Sequence, residues 1–143
     1  MRTAPRAVMI LLMLTFVGCN KPKPPSPPAE LPKPEHTLTA EQLLGDYQRN
    51  EVGADQKYKG KLIQVSGTVA GIKKAPLLGY YVGLGSPQEG DMYDIMCFLH
   101  PDAEADAGQL KIGDKVTVMG MCEGKAAGFQ LNLRKCAIVK DAK

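Results

Sequence analysis

The chain has 143 residues, 44% of them hydrophobic, with 18 Lys+Arg against 15 Asp+Glu, 15 Gly, 11 Pro and four Cys. That length holds one small domain, and an ordinary apolar content with little charge imbalance excludes a wholly disordered chain, a collagen-like fibre and a polytopic membrane protein. The excess charge of +3 invites a nucleic-acid reading only if it sits on the folded part.

Residues 1–18 have the outline of a lipoprotein signal peptide: Arg2 and Arg6 with no acid, then the apolar run Ala7 to Val17, broken only by Thr15. As a helix this run spans ~16 Å, about half the hydrocarbon thickness of a bilayer, so it is too short to reside there as a transmembrane segment. It ends in Phe16-Val17-Gly18-Cys19, which resembles the bacterial lipobox with Phe16 where leucine is usual. The expectation is a diacylglyceryl group and an amide-linked, palmitate-type chain on Cys19, making the membrane a partner through the N-terminal lipid. Each buried methylene contributes ~0.8 kcal/mol, so several acyl chains anchor firmly. Asn20 stands where enterobacterial sorting places Asp for inner-membrane retention, which favours the outer membrane in a diderm host, on its periplasmic face or at the surface.

Residues 19–37 then read as the lipidated cysteine and a tether, with seven prolines between Asn20 and Thr37. A polyproline stalk of that length reaches ~55 Å at ~3.1 Å per residue. His36, without a companion at metal-ligand spacing, reads as solvated. The remaining domain, residues 38–143, holds 13 Lys+Arg and 13 Asp+Glu. Its formal charge is zero, so the basic excess belongs to the targeting and tether segments, and a general nucleic-acid footprint is missing.

Within the domain, Thr39-Ala-Glu-Gln42 has the form of a capping box ahead of Leu43, Leu44 and Tyr47, predicting a short amphipathic helix that ends near Asn50 to Gly53. Alternation over Lys61 to Gly71 predicts a half-buried strand, with Ile63, Val65, Gly67 and Val69 on one face. Tyr80 to Leu84 and Asp94 to Leu99 read as a hairpin around the turn run Gly85 to Gly90. Asp102 to Leu110 predicts one or two helical turns. Val116 to Cys122 and Phe129 to Val139 supply the last two strands. Five short strands with a small helix between the third and fourth fit an all-β fold with short helices: a five-stranded OB-type Greek-key barrel preceded by an amphipathic helix. An SH3-like barrel or an open sandwich half are the alternatives. Gly67 and Gly120 fall where coiled strands need close backbone approach.

The run Tyr58-Lys-Gly-Lys-Leu-Ile-Gln-Val-Ser-Gly-Thr-Val69, the strand end Cys97-Phe98, the run Lys111 to Gly124 and the stretch Leu131-Asn-Leu-Arg-Lys-Cys136-Ala-Ile138 together carry a resemblance. In that order they resemble the tRNA-anticodon-binding-like (tRNA_anti-like) OB family of bacterial lipoproteins, over the whole folded part. The resemblance implies a binding fold and does not carry a nucleic-acid function with it.

With Cys19 acylated, Cys97, Cys122 and Cys136 remain in an oxidising compartment. Cys122 and Cys136 lie on the neighbouring fourth and fifth strands, and their bridge is the expected disulfide; Cys97 with Cys136 is the rival pairing. Phe129, Leu131 and Leu133 share a face that Cys136 leaves by parity, so the preferred bridge requires a bulge near Arg134-Lys135. Cys97 is then a buried free thiol.

Catalytic groupings are scarce, and the chain reads as a non-enzyme without cofactor or metal. His100 before Pro101 suits a turn. Asp91, Asp94, Asp102, Glu104 and Asp106 match no calcium loop, and Lys73-Lys74 is too brief for a basic patch. A ligand on the face of the second and third predicted strands would meet Tyr80, Tyr81, Tyr93 and Phe98. The function expected is a membrane-anchored binding or interaction module of the cell envelope with envelope proteins as partners and nucleic acid disfavoured. A single-stranded nucleic-acid or oligosaccharide binder using the aromatic face, and a disulfide-active redox protein, are the competing classes.

Overall fold

The computed structural model describes residues 31–87, 93–126 and 130–139, almost wholly within the unit Pro32–Lys143. The signal peptide, Cys19, Asn20, most of the tether, Asp91 and Phe129 lie outside the described residues. Among the described residues no helix is long and apolar enough to cross a membrane.

Chain order is β1 (His36–Thr39), α1 (Ala40–Arg49), α2 (Glu51–Tyr58), β2 (Leu62–Ala75), β3 (Gly79–Pro87), β4 (Tyr93–Leu99), a 3-10 turn (Pro101–Ala103) running into α3 (Glu104–Ala107), β5 (Lys115–Ala126) and β6 (Gln130–Val139). The sheet runs β1-β2-β3-β4-β6-β5 and closes by a β2–β5 pairing. The long strand β2 makes closure possible: its first half, Leu62 to Thr68, pairs antiparallel with β5, and Val69 to Ala75 pairs with β3. β2 to β6 are the five barrel strands read from the sequence. Closure leaves them one shared interior, filled by Ile63, Val65, Val69, Val82, Leu84, Ile95, Cys97, Val118, Leu131, Leu133 and Cys136.

Three features differ from the sequence reading. His36–Thr39 forms a sixth strand, parallel to β2 with His36 opposite Ile63. His36 is therefore not a freely solvated tether residue: it packs edge-on to Tyr58 at 5.3 Å between ring centroids. Secondly, the capping box is present, with the Thr39 N–H donating to Gln42 Oε1 at 2.9 Å and the Gln42 N–H donating to Thr39 Oγ1 at 3.2 Å, but the helical segment does not stop at Asn50. The Asn50 N–H closes α1 on the Asp46 carbonyl at 3.0 Å, and its Oδ1 accepts from the Gly53 N–H at 3.0 Å to open α2. One residue caps both helices. Thirdly, the helix after β4 starts one residue earlier, because Pro101 takes its first position and His100 Nδ1 accepts from the Asp102 N–H at 3.3 Å. His100 thus has the turn role expected of it.

The bulge required near Arg134-Lys135 is present. Cys97 to Leu99 on β4 span the same register as Leu133 to Cys136 on β6, and Lys135 takes a left-handed φ of 52°. Alternation is reset there, and Cys136 turns into the core with no exposed surface. Gly120 is the close approach on the facing strand: a Cβ built on it would lie 2.5 Å from Cys136 Sγ.

Polar clamps hold α1 on α2. The Tyr58 hydroxyl donates to Asp46 Oδ2 at 2.6 Å, and Arg49 and Lys57 pair with the same carboxylate. These groups, Tyr58 foremost, hold the Asp46 carboxyl down at about 2 from its ordinary 3.8. Because the folded value lies below the unfolded one, the stabilisation is complete above the ordinary value and is lost as pH falls through about 2. An NMR carboxyl titration should place Asp46 near that lower value, and Asp46→Asn should flatten the acid limb of stability between the two. An ordinary midpoint for Asp46 would contradict the clamp.

Candidate ligand-binding rim and outer aromatic face

Alternation on β3 sends Val82 and Leu84 into the barrel and Tyr81 and Gly83 outward; on β4, Ile95, Cys97 and Leu99 go inward and Met96 and Phe98 outward. A second register shift, between Leu84 and Pro87, brings Tyr93 to the outer face as well. Its ring lies flat over two paired glycines. A Cβ on Gly83 would meet Tyr93 Cγ at 2.2 Å, and one on Gly71 would meet the Tyr93 hydroxyl oxygen at 1.9 Å.

Tyr81 then stands 6.2 Å from Tyr93 and 5.7 Å from Phe98, centroid to centroid, at tilted angles. Three of the four sequence-predicted site aromatics are thus brought together, but not as an open stacking platform. Tyr81 and Tyr93 are 5% exposed, and Phe98 and Met96 8%. Their rings are occupied by one another.

Tyr80 is separate and 39% exposed. It occupies an inward-facing position of β3 at the open end of the barrel, with Lys74 Nζ 5.4 Å from its ring centroid. Beside it a cavity of ≈ 440 Å³ is lined by Ile72, Tyr80, Glu104, Ala105, Ala107 and Gly108.

The turn between β2 and β3 projects at this end. The Leu78 N–H donates to the Ala75 carbonyl at 3.3 Å, Pro76 sets the first corner, and Leu77 takes the second with φ 68°. That is the geometry of a type II turn, whose second corner ordinarily calls for glycine. Leu77 is fully solvent-exposed there, and Leu78 is 45% exposed. A second hollow of ≈ 310 Å³ is bordered by Leu78, Phe98, His100, Pro101, Arg134 and Lys135. Exposed Leu77, Leu78 at the second hollow and Tyr80 at the first thus give this turn and the start of β3 an apolar rim, with Lys74 over the Tyr80 ring and Lys135 lining the second hollow. Sequence reasoning passed over Leu77 and Leu78; the signal available was Pro76 followed by a leucine at a glycine-type corner.

The three domain cysteines are free thiols and all are buried. No bridge between Cys122 and Cys136 is present in the structure. The Cys122 side chain is turned to the helical layer, where its sulfur lies 3.7 Å from the Tyr47 hydroxyl, and burial pushes its pKa up. The neighbouring Cys97 thiol, together with burial, holds the Cys136 thiol well above the ordinary range. Both thiols are neutral at physiological pH, unlike the depressed thiolates of redox enzymes.

The acidic stretch is spent on local structure where it is described: Asp94 Oδ2 accepts from the Ser86 N–H at 2.9 Å, and Asp102 pairs with His100 at 3.2 Å. Among the described residues no group of three or more His, Cys, Asp or Glu is placed to hold a metal ion.

The sequence model of the tRNA_anti-like family matches residues 6–137. Among solved structures, a lipoprotein of Klebsiella pneumoniae subsp. pneumoniae, provisionally named as nucleic acid-binding, aligns at 24% identity over 73% of this chain and 91% of its own, with a TM-score of 0.59. The asparaginyl-tRNA synthetase of Entamoeba histolytica, in complex with asparaginyl-adenylate, aligns at 16% identity over 59% of this chain and 22% of its own, TM-score 0.39. The S. pombe Stn1–Ten1 complex aligns at 16% identity over 56% and 59%, TM-score 0.38. No curated protein matches the chain. The Klebsiella likeness establishes the shared OB-type fold.

Proposed function

The chain belongs to the tRNA_anti-like family, and from that premise and the rim geometry we propose that it is a lipid-anchored binding module of the bacterial envelope. In this reading residues 1–18 are removed, acylated Cys19 holds the chain in the membrane, residues 20–37 act as a spacer, and the rim of the barrel captures an apolar segment of an envelope protein without catalysis.

The observation that carries the binding role is Leu77. Local energetics favour glycine at a left-handed corner, at a cost to leucine of about 1 kcal/mol, and exposure gives the side chain no compensating burial within the domain. A leucine held in this way is explained by contact with something outside the chain.

The proposal predicts opposite signs for two properties of one variant. Leu77→Gly should raise unfolding stability by about 1 kcal/mol while reducing partner capture at least tenfold. Capture is read by photo-crosslinking from position 78 of the full chain in cells, followed by identification of the adduct; unchanged crosslinking in Leu77→Gly would overturn the rim as the contact. Anchoring is tested separately by fatty-acid labelling, expected to vanish in Cys19→Ser, and by membrane fractionation, expected to give the outer membrane in a diderm host.

A second reading, capture of a single-stranded nucleic acid or an oligosaccharide on the outer face, is favoured by one observation. Gln130 Oε1 and Asn132 Oδ1 are buried without a hydrogen-bond partner, and Asn132 lies beside Met96 in the register, at the border of the aromatic cluster. Such acceptors suit base amino groups or sugar hydroxyls. Gel-shift and glycan-array screens of the full chain should show binding that Asn132→Leu abolishes; silence in both screens removes this reading.

A further inference from the structure

We propose that the cavity beside Tyr80 is a binding site for an alkyl cation, an ammonium or guanidinium group on an apolar stem, seated between the Tyr80 ring and the Glu104 carboxylate. A lysine or arginine side chain of a partner segment held on the rim is one source of this group, and a free alkylamine is the other. The first source rests on the rim reading; the cavity itself does not.

The cavity of ≈ 440 Å³ has walls from Ile72, Ala105, Ala107 and Gly108, and the remaining two side chains that line it are Tyr80 and Glu104. That volume suits a small organic ligand. β3 and α3 bring the two side chains together. Gly79 opens β3 with φ 81°, and a Cβ built on it would lie 3.9 Å from Glu104 Oε1, so the carboxylate rests against the residue before Tyr80. Glu104 is partly buried, and among the described residues nothing pairs with it or donates a hydrogen bond to it. A carboxylate drawn into apolar surroundings without a partner loses hydration that a bound cation offsets.

Tyr80 supplies the second attraction. Its ring is 39% exposed, and Lys74 Nζ stands 5.4 Å from its centroid, within the distance at which a ring face attracts a cation. Lys74 does not itself fill the cavity: it is exposed and does not line it. An anion at this place would be repelled by Glu104. A neutral apolar ligand would bury the carboxylate further and leave it without a partner. A cation on an apolar stem satisfies the ring, the carboxylate and the alanine walls together.

The probe is n-butylammonium, the lysine side chain without its backbone, with n-butanol as the neutral analogue and butyrate as the anionic one. Each is titrated into the isotopically labelled full chain in a neutral detergent, and the amide NMR shifts are followed. Butylammonium should shift Tyr80, Glu104, Ala105, Ala107 and Gly108 in one saturable step and bind at least about threefold more tightly than butanol or butyrate. Glu104→Gln should weaken butylammonium at least about threefold and leave butanol unchanged. Lys74→Gln removes a like charge from the ring and should tighten butylammonium about twofold. A general loss of fold cannot produce those opposite signs. Equal affinity for butylammonium and butanol, unchanged butylammonium binding in Glu104→Gln, or shifts that miss the cavity would overturn the site.

The source of the cation is read with acetyl-Leu-Lys-Leu-amide. Shifts at Leu77 and Leu78 as well as in the cavity, with binding at least about fivefold tighter than butylammonium, assign the cation to a captured segment. Shifts confined to the cavity at the affinity of butylammonium assign it to a free amine. Butylammonium binding in the cavity with no adduct from position 78 in cells sinks the rim reading and leaves the cation site standing; an adduct from position 78 without butylammonium binding does the reverse.

Discussion

Gly83→Ala is expected to destabilise the domain by about 2–3 kcal/mol, lowering the Tm by roughly 10 °C, although alanine is the smallest change available. The reason is the position of Tyr93. A Cβ on Gly83 would lie 2.2 Å from Tyr93 Cγ and 2.3 Å from Cδ2, the root of the ring, which shifts only if χ1 leaves its rotamer or the β4 backbone gives way. The companion contact at Gly71 is with the hydroxyl end, at 1.9 Å. That end can swing, so Gly71→Ala should cost less than Gly83→Ala despite the shorter distance. Chemical denaturation of the two variants tests the order. Tyr93→Ala closes the cycle: in that background Gly83→Ala should cost under about 1 kcal/mol, giving a coupling of at least ~1 kcal/mol. Additive losses would mean that Gly83 is needed for strand twist and not for the ring.

Local signals in the sequence carried furthest. The Thr39–Gln42 capping box needs only four residues and is present as read, and the alternation in Ile63, Val65 and Val69 or in Leu131 and Leu133 follows from one face being buried. Even the bulge at Lys135 was legible, because Cys136 breaks the parity of Leu131 and Leu133 and a buried thiol must be reconciled with it. What escaped depends on partners distant in the chain. His36-Thr-Leu-Thr39 is a short polar stretch beside prolines, and only its parallel partner, Ile63 to Ser66, makes it a strand. α2 offers no clear apolar stripe: Val52 is 70% exposed, and Ala54 and Tyr58 alone are buried. Cys136 has neighbours on both sides in a closed barrel, and parity cannot say toward which one its sulfur turns. The candidate aromatics show the same limit. Tyr81 and Phe98 fall on the strands expected from the sequence and Tyr93 one residue before its expected strand, but the second register shift and the two glycines that bury them against each other are tertiary facts. Leu77 stood out only once its backbone angle was known.

Tyr47→Ala should be the most damaging single side-chain truncation in the helical layer, costing about 3–5 kcal/mol. Tyr47 is 2% exposed and is where α1, α2 and β5 meet. Its hydroxyl donates to Asp55 Oδ1 of α2 at 2.9 Å and touches Cys122 Sγ of β5 at 3.7 Å, while its ring stacks on Tyr58 at 6.4 Å. Asp55 in turn lies over Gly124, where a Cβ would come within 2.6 Å of its carboxylate. Tyr47→Phe separates the two contributions: it keeps the ring and leaves Asp55 without this donor, for a loss of about 1.5 kcal/mol. Alkaline pH probes the same hydroxyl. Desolvation first, then Cys122 and Asp55, push the Tyr47 pKa well above 10.0, so the folded state keeps a proton that the unfolded chain gives up. Stability from this group is therefore complete below the unfolded value and declines as pH rises beyond it. Tyr47→Phe should show a shallower alkaline limb than the wild type, with Tyr58→Phe as the control for the other buried phenol. Parallel alkaline limbs in wild type and Tyr47→Phe would show that the hydroxyl is not linked to folding, and the loss in Tyr47→Ala would then belong to ring packing alone.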